Sequence, residues 1–572
     1  MNDEDARSEG FPKAFGMGNM QWSYLHSLLR QFIGLDGSIL RLDVQFRNPN
    51  LRGQTLTAHG TVTEIEGTTV SIELWTQEDE GSRLAVGAHA SGWQTDEFVQ
   101  FVSLRPVLNL RTACHSAQCS CEPLHTALPF QKTLRTANKG NPMEMNDMVM
   151  VSIDDHVVEP LDMFEKHFPK SMMSDAPKLI AHPMNPDLQA WVFQGLPIGN
   201  AGLNAVASWP KEEWGMDATD HSEIRPGVYD MDLRVRDMDA NGVLASMMFG
   251  TFTGFAGTHL ANLPDKKLAL AAFQAHNDWV VGENPSNHPG RFIPMGMIPF
   301  YDMDESVTEI HRLAAMGCRS ISLPETPYGV GYPEFRSGHW DPVFKALSDT
   351  NMVASLHIGG GFGLIQRPAP MDFTDMSSFF ADDIIILAAL VSTIAATDLM
   401  LSGVLKRFPD TKIAMSEGGL GWVPPWLDRM DRHMTNHAWT HLSSLPDGMT
   451  PTEVWRKNFL ACYITEPSAL NNRKRIGLEN IAWECDFPHS DSTWPRSPEM
   501  LWQELQDGEC SDKEIDLITH ENVARFFSWD PFKHIAKKDA TVGALRARAT
   551  DVDTSETSKA EYRRRYELAN SA

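Results

Sequence analysis

The chain lacks the features that mark several large protein classes. Seven cysteines in 572 residues are too few for the disulfide framework of a small secreted domain. There is no long Lys/Arg run, and 49 basic against 75 acidic residues leave a net charge of −26. Such a chain repels phosphate backbones, so nucleic acid is not an expected partner. The longest uncharged apolar run, Ile384–Thr397, spans fourteen residues. That is short of the roughly 18–20 needed to cross a bilayer, so it reads as a buried helix and no membrane association is expected. The opening Met1-Asn-Asp-Glu-Asp5 has the wrong charge for a secretory signal, which makes the reducing cytoplasm the expected compartment.

What is present divides the chain into four parts. In residues 1–104, the spacing of Trp22, Leu25, Leu28, Leu29 and Phe32 predicts one amphipathic helix. The alternating runs Leu40–Phe46, Gln54–Ile65, Thr69–Trp75 and Leu84–Trp93 predict antiparallel strands, giving a small α+β domain. Residues 105–147 show no periodicity. Cys114, His115, Cys119, Cys121 and His125 crowd together there, but at no usual zinc spacing, so the segment reads as a linker. Residues 148–535 alternate short apolar runs with helical stretches. Eight strands are expected, at Val149–Asp155, Val243–Phe249, Phe292–Ile298, Ser320–Leu323, Val353–His357, Lys412–Ser416, Phe459–Ile464 and Ile481–Asp486. Eight β/α units over about 380 residues predict a closed (β/α)₈ TIM barrel. An open doubly wound sheet would want a Gly-rich turn after its first strand, where this chain has Asp154-Asp155-His156. The stretch 160–240, with Trp191, Trp209 and Trp214, is too long for one helix and reads as an insertion over the barrel mouth. Residues 536–572 read as a charged C-terminal tail.

Barrel chemistry gathers at the C-terminal ends of the strands. Residues i and i+2 of a strand share a face, so Asp154 and His156 of strand one enter the mouth as a chelating pair, while Asp155 turns away. His357 at the end of strand five and Asp486 at the end of strand eight close a set of two imidazoles and two carboxylates. Such a set suits one divalent metal ion, Zn²⁺ first and Mn²⁺ or Fe²⁺ as alternatives. Glu417, in Ser416-Glu-Gly-Gly-Leu-Gly-Trp422, is a candidate general base, with a helix-start carboxylate as the alternative reading. His489 is a candidate for substrate binding or proton transfer, and Glu159 either supports the ligands or starts a helix. The expected catalytic residues are Asp486, Glu417 and His489.

These residues carry a resemblance. Ser152-Ile-Asp-Asp-His-Val-Val-Glu-Pro160, Ser416-Glu-Gly-Gly-Leu-Gly-Trp-Val-Pro424 and Cys485-Asp-Phe-Pro-His-Ser-Asp-Ser-Thr-Trp-Pro495 are similar to the amidohydrolase-related family of metal-dependent hydrolases and decarboxylases. Gly338-His-Trp-Asp-Pro342, Ser402-Gly-Val-Leu-Lys-Arg-Phe-Pro409 and Glu521-Asn-Val-Ala-Arg525 support it. The resemblance covers about 149–530 and implies the metal-dependent barrel, with Asp154, His156, His357 and Asp486 on the family's ligand positions. Where decarboxylase members carry a histidine at the end of strand six, this chain has Glu417. More weakly, Phe15-Gly-Met17, Arg41-Leu-Asp-Val-Gln-Phe-Arg-Asn-Pro49 and Gly53-Gln-Thr-Leu56 resemble part of a MaoC-type hot-dog fold, expected here as a dimerising or acyl-binding module without hydratase activity. The expectation is a metal-dependent hydrolase of a small organic molecule. A non-oxidative carboxy-lyase of an aromatic or unsaturated acid and a non-catalytic acyl-binding or scaffolding protein are the alternatives, and a homo-oligomer stays open.

Overall fold

In this computed structural model the described residues are 25, 37–39, 43–46, 55–66, 69–78, 83–93, 110–113, 143–215, 218–359, 381–440 and 444–571. Two compact units divide the chain, Met1–Ala137 and Asn138–Ala572. The first holds an antiparallel sheet of β1 (Gly37–Ile39), β2 (Asp43–Phe46), β3 (Thr55–Glu66), β4 (Thr69–Glu78), β5 (Arg83–Trp93) and β6 (Leu110–Ala113). Its order is β1-β5-β4-β3-β6, with β2 also on β5. In β4 the alternation expected of a half-buried strand is visible: Ile72, Leu74 and Thr76 are buried, and the residues between them are half-exposed. β6 corrects the linker expectation, because Thr55–Ala58 pair with it and carry the sheet into residues 110–113. The Cys114–His125 cluster and most of the expected first helix lie outside the described residues.

The second unit is the barrel. Its strands are β7 (Val151–Val157), β11 (Ala245–Gly250), β12 (Met295–Met297), β13 (Ser320–Leu323), β14 (Val353–His357), β15 (Lys412–Ser416), β16 (Phe459–Tyr463) and β17 (Ile481–Trp483), and β8 (Lys178–His182), β9 (Asn185–Phe193) and β10 (Leu196–Asn200) belong to the insertion. β7 pairs parallel with β11, and β12 to β17 form one parallel sheet in sequence order. Ser246 bridges the two by donating its N–H to Arg291 O (3.0 Å) and accepting from Ile293 N–H (2.9 Å). The last seam closes where Asp486 N–H donates to Asp154 O (2.9 Å) and His156 N–H to Phe487 O (2.6 Å). Continuous burial along β13, β14 and β16 is what a parallel sheet covered by helices requires.

The interior explains how β7 serves both core and site. Val151 and Ile153 join one buried cluster with Val353, Ala414, Leu460, Cys462 and Ala482. Strands so far apart around the ring meet only across its inside. The register of β7 on β11 then shifts between Ser246 and Met248, so β7 carries a bulge that switches which residues face inward. Below it Val151 and Ile153 fill the core; above it Asp154 and His156 enter the mouth.

Three expectations change. The insertion between β7 and β11 forms an antiparallel sheet of its own, β10-β9-β8, and Trp191 on β9 and Trp209 beyond β10 are buried. The Ile384–Thr397 run lies in the helix Ala381–Leu401; Val391, Ala395, Ala396 and Leu399 are buried, but Ile386 and Leu390 stand exposed, so only one face packs on the barrel. Residues 536–572 are no free tail. The helix Lys559–Ser571 buries Tyr562, whose hydroxyl meets Ser208 Oγ at 2.5 Å. Arg225, in a buried two-pronged bond to Asp237 (2.8 and 2.7 Å), also donates to Asp553 O (2.9 Å). A run of charges stays ordered here because its partners are buried polar groups of the insertion.

Candidate metal centre

Four strand ends deliver the site. β7 supplies Asp154 and His156, β14 supplies His357, and Glu417 follows β15. Glu484 and Asp486 follow β17, with His489 three residues on. Asp154, His156, Glu484 and Asp486 are each at most 3 % exposed. Glu417 and Asp486 both take φ +59°, left-handed values on non-glycine residues. Such backbone costs about 1–3 kcal/mol and persists only where the surroundings hold it; here it turns each carboxylate off the strand direction and into the mouth.

The polar atoms converge. His156 Nε2 lies 3.5 Å from Asp154 Oδ1, 3.3 Å from Asp486 Oδ1 and 3.2 Å from His357 Nε2. His357 Nε2 lies 3.3 Å from Asp154 Oδ2 and 3.1 Å from Glu417 Oε2. His489 Nδ1 lies 2.9 Å from Asp486 Oδ1, and its ring stacks on His156 at 3.8 Å between centroids. Both oxygens of Asp154 and both of Asp486 are nevertheless buried without a hydrogen bond of acceptable geometry. Among the described residues these oxygens thus keep lone pairs free for a ligand, although Asp486 gathers with His156 and His489 rather than with Asp154 and His357. Donors about 2.1 Å from a tetrahedral ion stand about 3.4 Å apart, which matches this spacing. A divalent cation therefore fits. Asp154, His156, His357 and Glu417 can hold an ion together, as can His156, Asp486 and His489. Both groups include His156, so the arrangement suits one ion rather than two.

Electrostatics point the same way. Burial, then the Asp486 charge, push Asp154 well above the usual carboxylate range; the same two causes act on Glu417. Burial and Asp154 push Glu484 up. Burial opposes ionisation of Asp486 too, but His489 and His156 outweigh it and hold that carboxyl low. Burial, then His489, keep His156 neutral, the state in which imidazole ligates metal. His357 Nδ1–H donates to Ile358 O, which turns the Nε2 lone pair to the centre. Several acids crowded against three imidazoles, with no Lys or Arg paired to them among the described residues, create a local demand for positive charge.

The supporting residues sort themselves. Asp155 turns away from the centre, accepting from Phe487 N–H (3.1 Å) and Ser152 Oγ–H (3.2 Å), and burial pushes it up to about 6. Glu159 lies outside the cluster: it accepts Phe252 N–H (2.8 Å) and faces His276 Nε2 at 3.3 Å. Sequence reasoning assigned no role to Glu484 or Phe255. Glu484 carries the same signal as Asp154, a position two residues from a ligand candidate. Phe255, stacked on His357 at 4.6 Å, had no local signal, because a single Phe in a loop is unremarkable.

Comparisons with known proteins follow the same line. The Amidohydro_2 (amidohydrolase) family model matches residues 208–529. The 2-amino-3-carboxymuconate-6-semialdehyde decarboxylase of Dictyostelium discoideum is 20% identical over 334 residues, 57% of this chain and 84% of that protein. An amidohydrolase from Mycobacterium avium subsp. paratuberculosis K-10 covers 66% of this chain and 99% of its own at 18% identity and a TM-score of 0.49. An (R)-hydratase from A. caviae covers 16% of this chain and 73% of its own at 19% identity and a TM-score of 0.16. With the family model spanning more than half of the sequence, the chain belongs to the amidohydrolase family of metal-dependent enzymes.

Proposed function

We propose that the protein is a metal-dependent hydrolase of a small organic substrate. Asp154, His156, His357 and Asp486 would hold one divalent cation, with Zn²⁺ suited to the mixed N/O donor set and Mn²⁺ or Fe²⁺ as the alternatives. Such a cation supplies Lewis acidity, polarising a substrate oxygen and acidifying water. Glu417 takes the proton from the attacking water and returns it to the leaving group. Its elevated proton affinity, caused by burial and Asp486, suits an acid that must hold a proton between the two steps. Asp486, held low, stays a carboxylate and orients His489 through Nδ1. That leaves Nε2 of His489, without a hydrogen-bond partner among the described residues, to receive or deliver a proton.

The observation that carries this reading is the carboxylate at the end of the sixth strand, 3.1 Å from His357. Hydrolysis needs a group there that accepts a proton, and a neutral carbonyl substrate is not repelled by the surrounding acids. A second reading, decarboxylation, is favoured by the similarity to the Dictyostelium discoideum decarboxylase. In that case the cation would also have to offset repulsion between the substrate carboxylate and Glu417. The N-terminal unit we assign as an accessory dimerising or acyl-binding module. Turnover of a panel of esters, lactones, amides and unsaturated acids in ¹⁸O-labelled water decides the chemistry. One ¹⁸O per product molecule supports hydrolysis, and CO₂ release without label in the organic product replaces it with decarboxylation.

A further inference from the structure

Glu417 reaches His357 only because its backbone takes the left-handed turn at φ +59°, and something must hold that turn. At the end of β17 the same turn at Asp486 is fixed on both sides. Its N–H donates to Asp154 O (2.9 Å), and the next N–H, of Phe487, donates to Asp155 Oδ1 (3.1 Å). At the end of β15 the equivalent hold comes from a side chain: Glu417 N–H donates to Glu484 Oε2 at 3.1 Å. Further along the loop, Glu466 accepts from Leu420 N–H (2.6 Å) and Gly421 N–H (2.8 Å). Two carboxylates thus fasten the segment that carries Glu417.

Glu484 is fully buried. It lies two residues before Asp486 and shares its inward face, while Cys485 between them contacts Asn241 and Ser497. Glu484 Oε2 also accepts the Cys462 thiol S–H, and Oε1 has no hydrogen-bond partner among the described residues. A buried carboxylate without a basic partner is a costly core residue. An apolar side chain would fill the space more cheaply, but it could not accept the Glu417 N–H.

We propose that Glu484 is a positioning residue for Glu417: its carboxylate pins the Glu417 peptide in the left-handed turn and so sets the Glu417 side chain against His357 and the cation ligands. This inference rests on the cation-site reading given above. Two consequences distinguish it from a general packing role. Glu484 fixes geometry through the Glu417 peptide, with Asp154 its other charged neighbour in the site, so its removal costs much less once Glu417 is gone. What the turn requires is an acceptor oxygen, so Glu484→Gln serves where Glu484→Ala does not.

The test uses the full chain as wild type, E484A, E484Q, E417A and the E484A/E417A double variant. Hydrogen–deuterium exchange of the metal-free proteins reads the peptide spanning 412–421. Faster exchange in E484A and wild-type exchange in E484Q are expected. Cobalt(II) affinity by chelator competition, with the visible ligand-field spectrum, reads the consequence. E484A is expected to lose about tenfold or more in affinity and to shift the spectrum, with E484Q within about threefold of wild type. The double variant is expected within about threefold of E417A alone. Wild-type exchange and cobalt affinity in E484A overturn the proposal, as does a full-sized E484A effect in the E417A background. Should E484A fail to fold, Glu484→Asp, which draws the acceptor back by one methylene, takes its place with the same expectations. A wild-type chain that takes up no cobalt overturns the cation reading instead, and the exchange comparison still decides whether Glu484 holds Glu417.

Discussion

Glu504 offers a stability test whose sign and size both come from the fold. It lies on the helix Ser497–Asp507, 7 % exposed, and its Oε1 accepts Glu466 N–H at 2.8 Å. Burial pushes this carboxyl from its ordinary 4.5 to about 7; the Glu466 N–H opposes the rise and the Glu466 charge adds to it. A raised carboxyl binds its proton more tightly in the folded than in the unfolded chain. Its contribution is therefore fully present below pH 4.5 and is lost as pH climbs through 7. Each pH unit of that gap is worth ~1.4 kcal/mol, so ionised Glu504 costs the fold about 3 kcal/mol at pH 8. Glu504→Gln keeps the acceptor oxygen and cannot ionise. Urea unfolding followed by tryptophan fluorescence at several pH values should find E504Q about 3 kcal/mol more stable than wild type at pH 8, and the two should converge near pH 4.5. A difference that stays constant across that range would refute the reasoning, because a packing change does not titrate. The same helix anchors Glu466 and, through it, the Glu417 loop, so a resistant E504Q should also slow exchange at Leu420 and Gly421 at pH 8.

Other outcomes follow from the same geometry. His357→Ala should remove metal retained after dialysis while leaving the far-ultraviolet circular dichroism unchanged; unchanged metal content, measured by mass spectrometry, would exclude His357 as a ligand. Stripping metal with a chelator should lower the unfolding temperature, and restoring a divalent ion at about 1,000 times its dissociation constant should return about 4 kcal/mol. Identical melting with and without chelator would contradict a cation among Asp154, His156, His357 and Asp486. Arg225→Ala strands Asp237 in a buried site and frees the Asp553 carbonyl; a loss of about 3–5 kcal/mol and faster proteolysis of residues beyond 550 are expected in a protease time course.

The strands were legible where physics writes them most plainly. Ser320–Leu323, Val353–His357 and Lys412–Ser416 coincide to the residue with β13, β14 and β15, because a parallel strand covered on both faces is a short run built on apolar and small residues between polar or Gly-rich loops. Legibility fell where structure depends on distant partners. β8 to β10 alternate weakly and pair only with one another, so nothing in 178–200 signalled a sheet. The C-terminal helix reads as solvated from its charges, yet Arg563 donates to the buried Glu223, a partner some 340 residues away that no local pattern announces.

Within the site the division is sharper still. The i, i+2 rule places Asp154 with His156, and the same rule applied to the expected strand Ile481–Asp486 pairs Glu484 with Asp486, although β17 itself ends at Trp483. These residues were readable in kind and spacing. The bulge in β7 was not, although without it Ile153 and Asp154 could not serve core and site in turn. Nor were the left-handed turns at Glu417 and Asp486: glycine is the strong sequence signal for positive φ and Asn or Asp a weak one, so Glu417 carries no signal and Asp486 only the weak one. Glu417 is followed by Gly418 and Gly419, and only Gly419 takes a positive φ of its own, +65°. The turn begins one residue earlier than the glycines suggest, on the side chain the chemistry needs. A glycine at 417 would relax the backbone and delete the carboxylate, so the site tolerates the strain and holds it with Glu484. Strand patterns thus locate such a centre, while its final geometry depends on which buried acceptors meet the backbone at the strand ends.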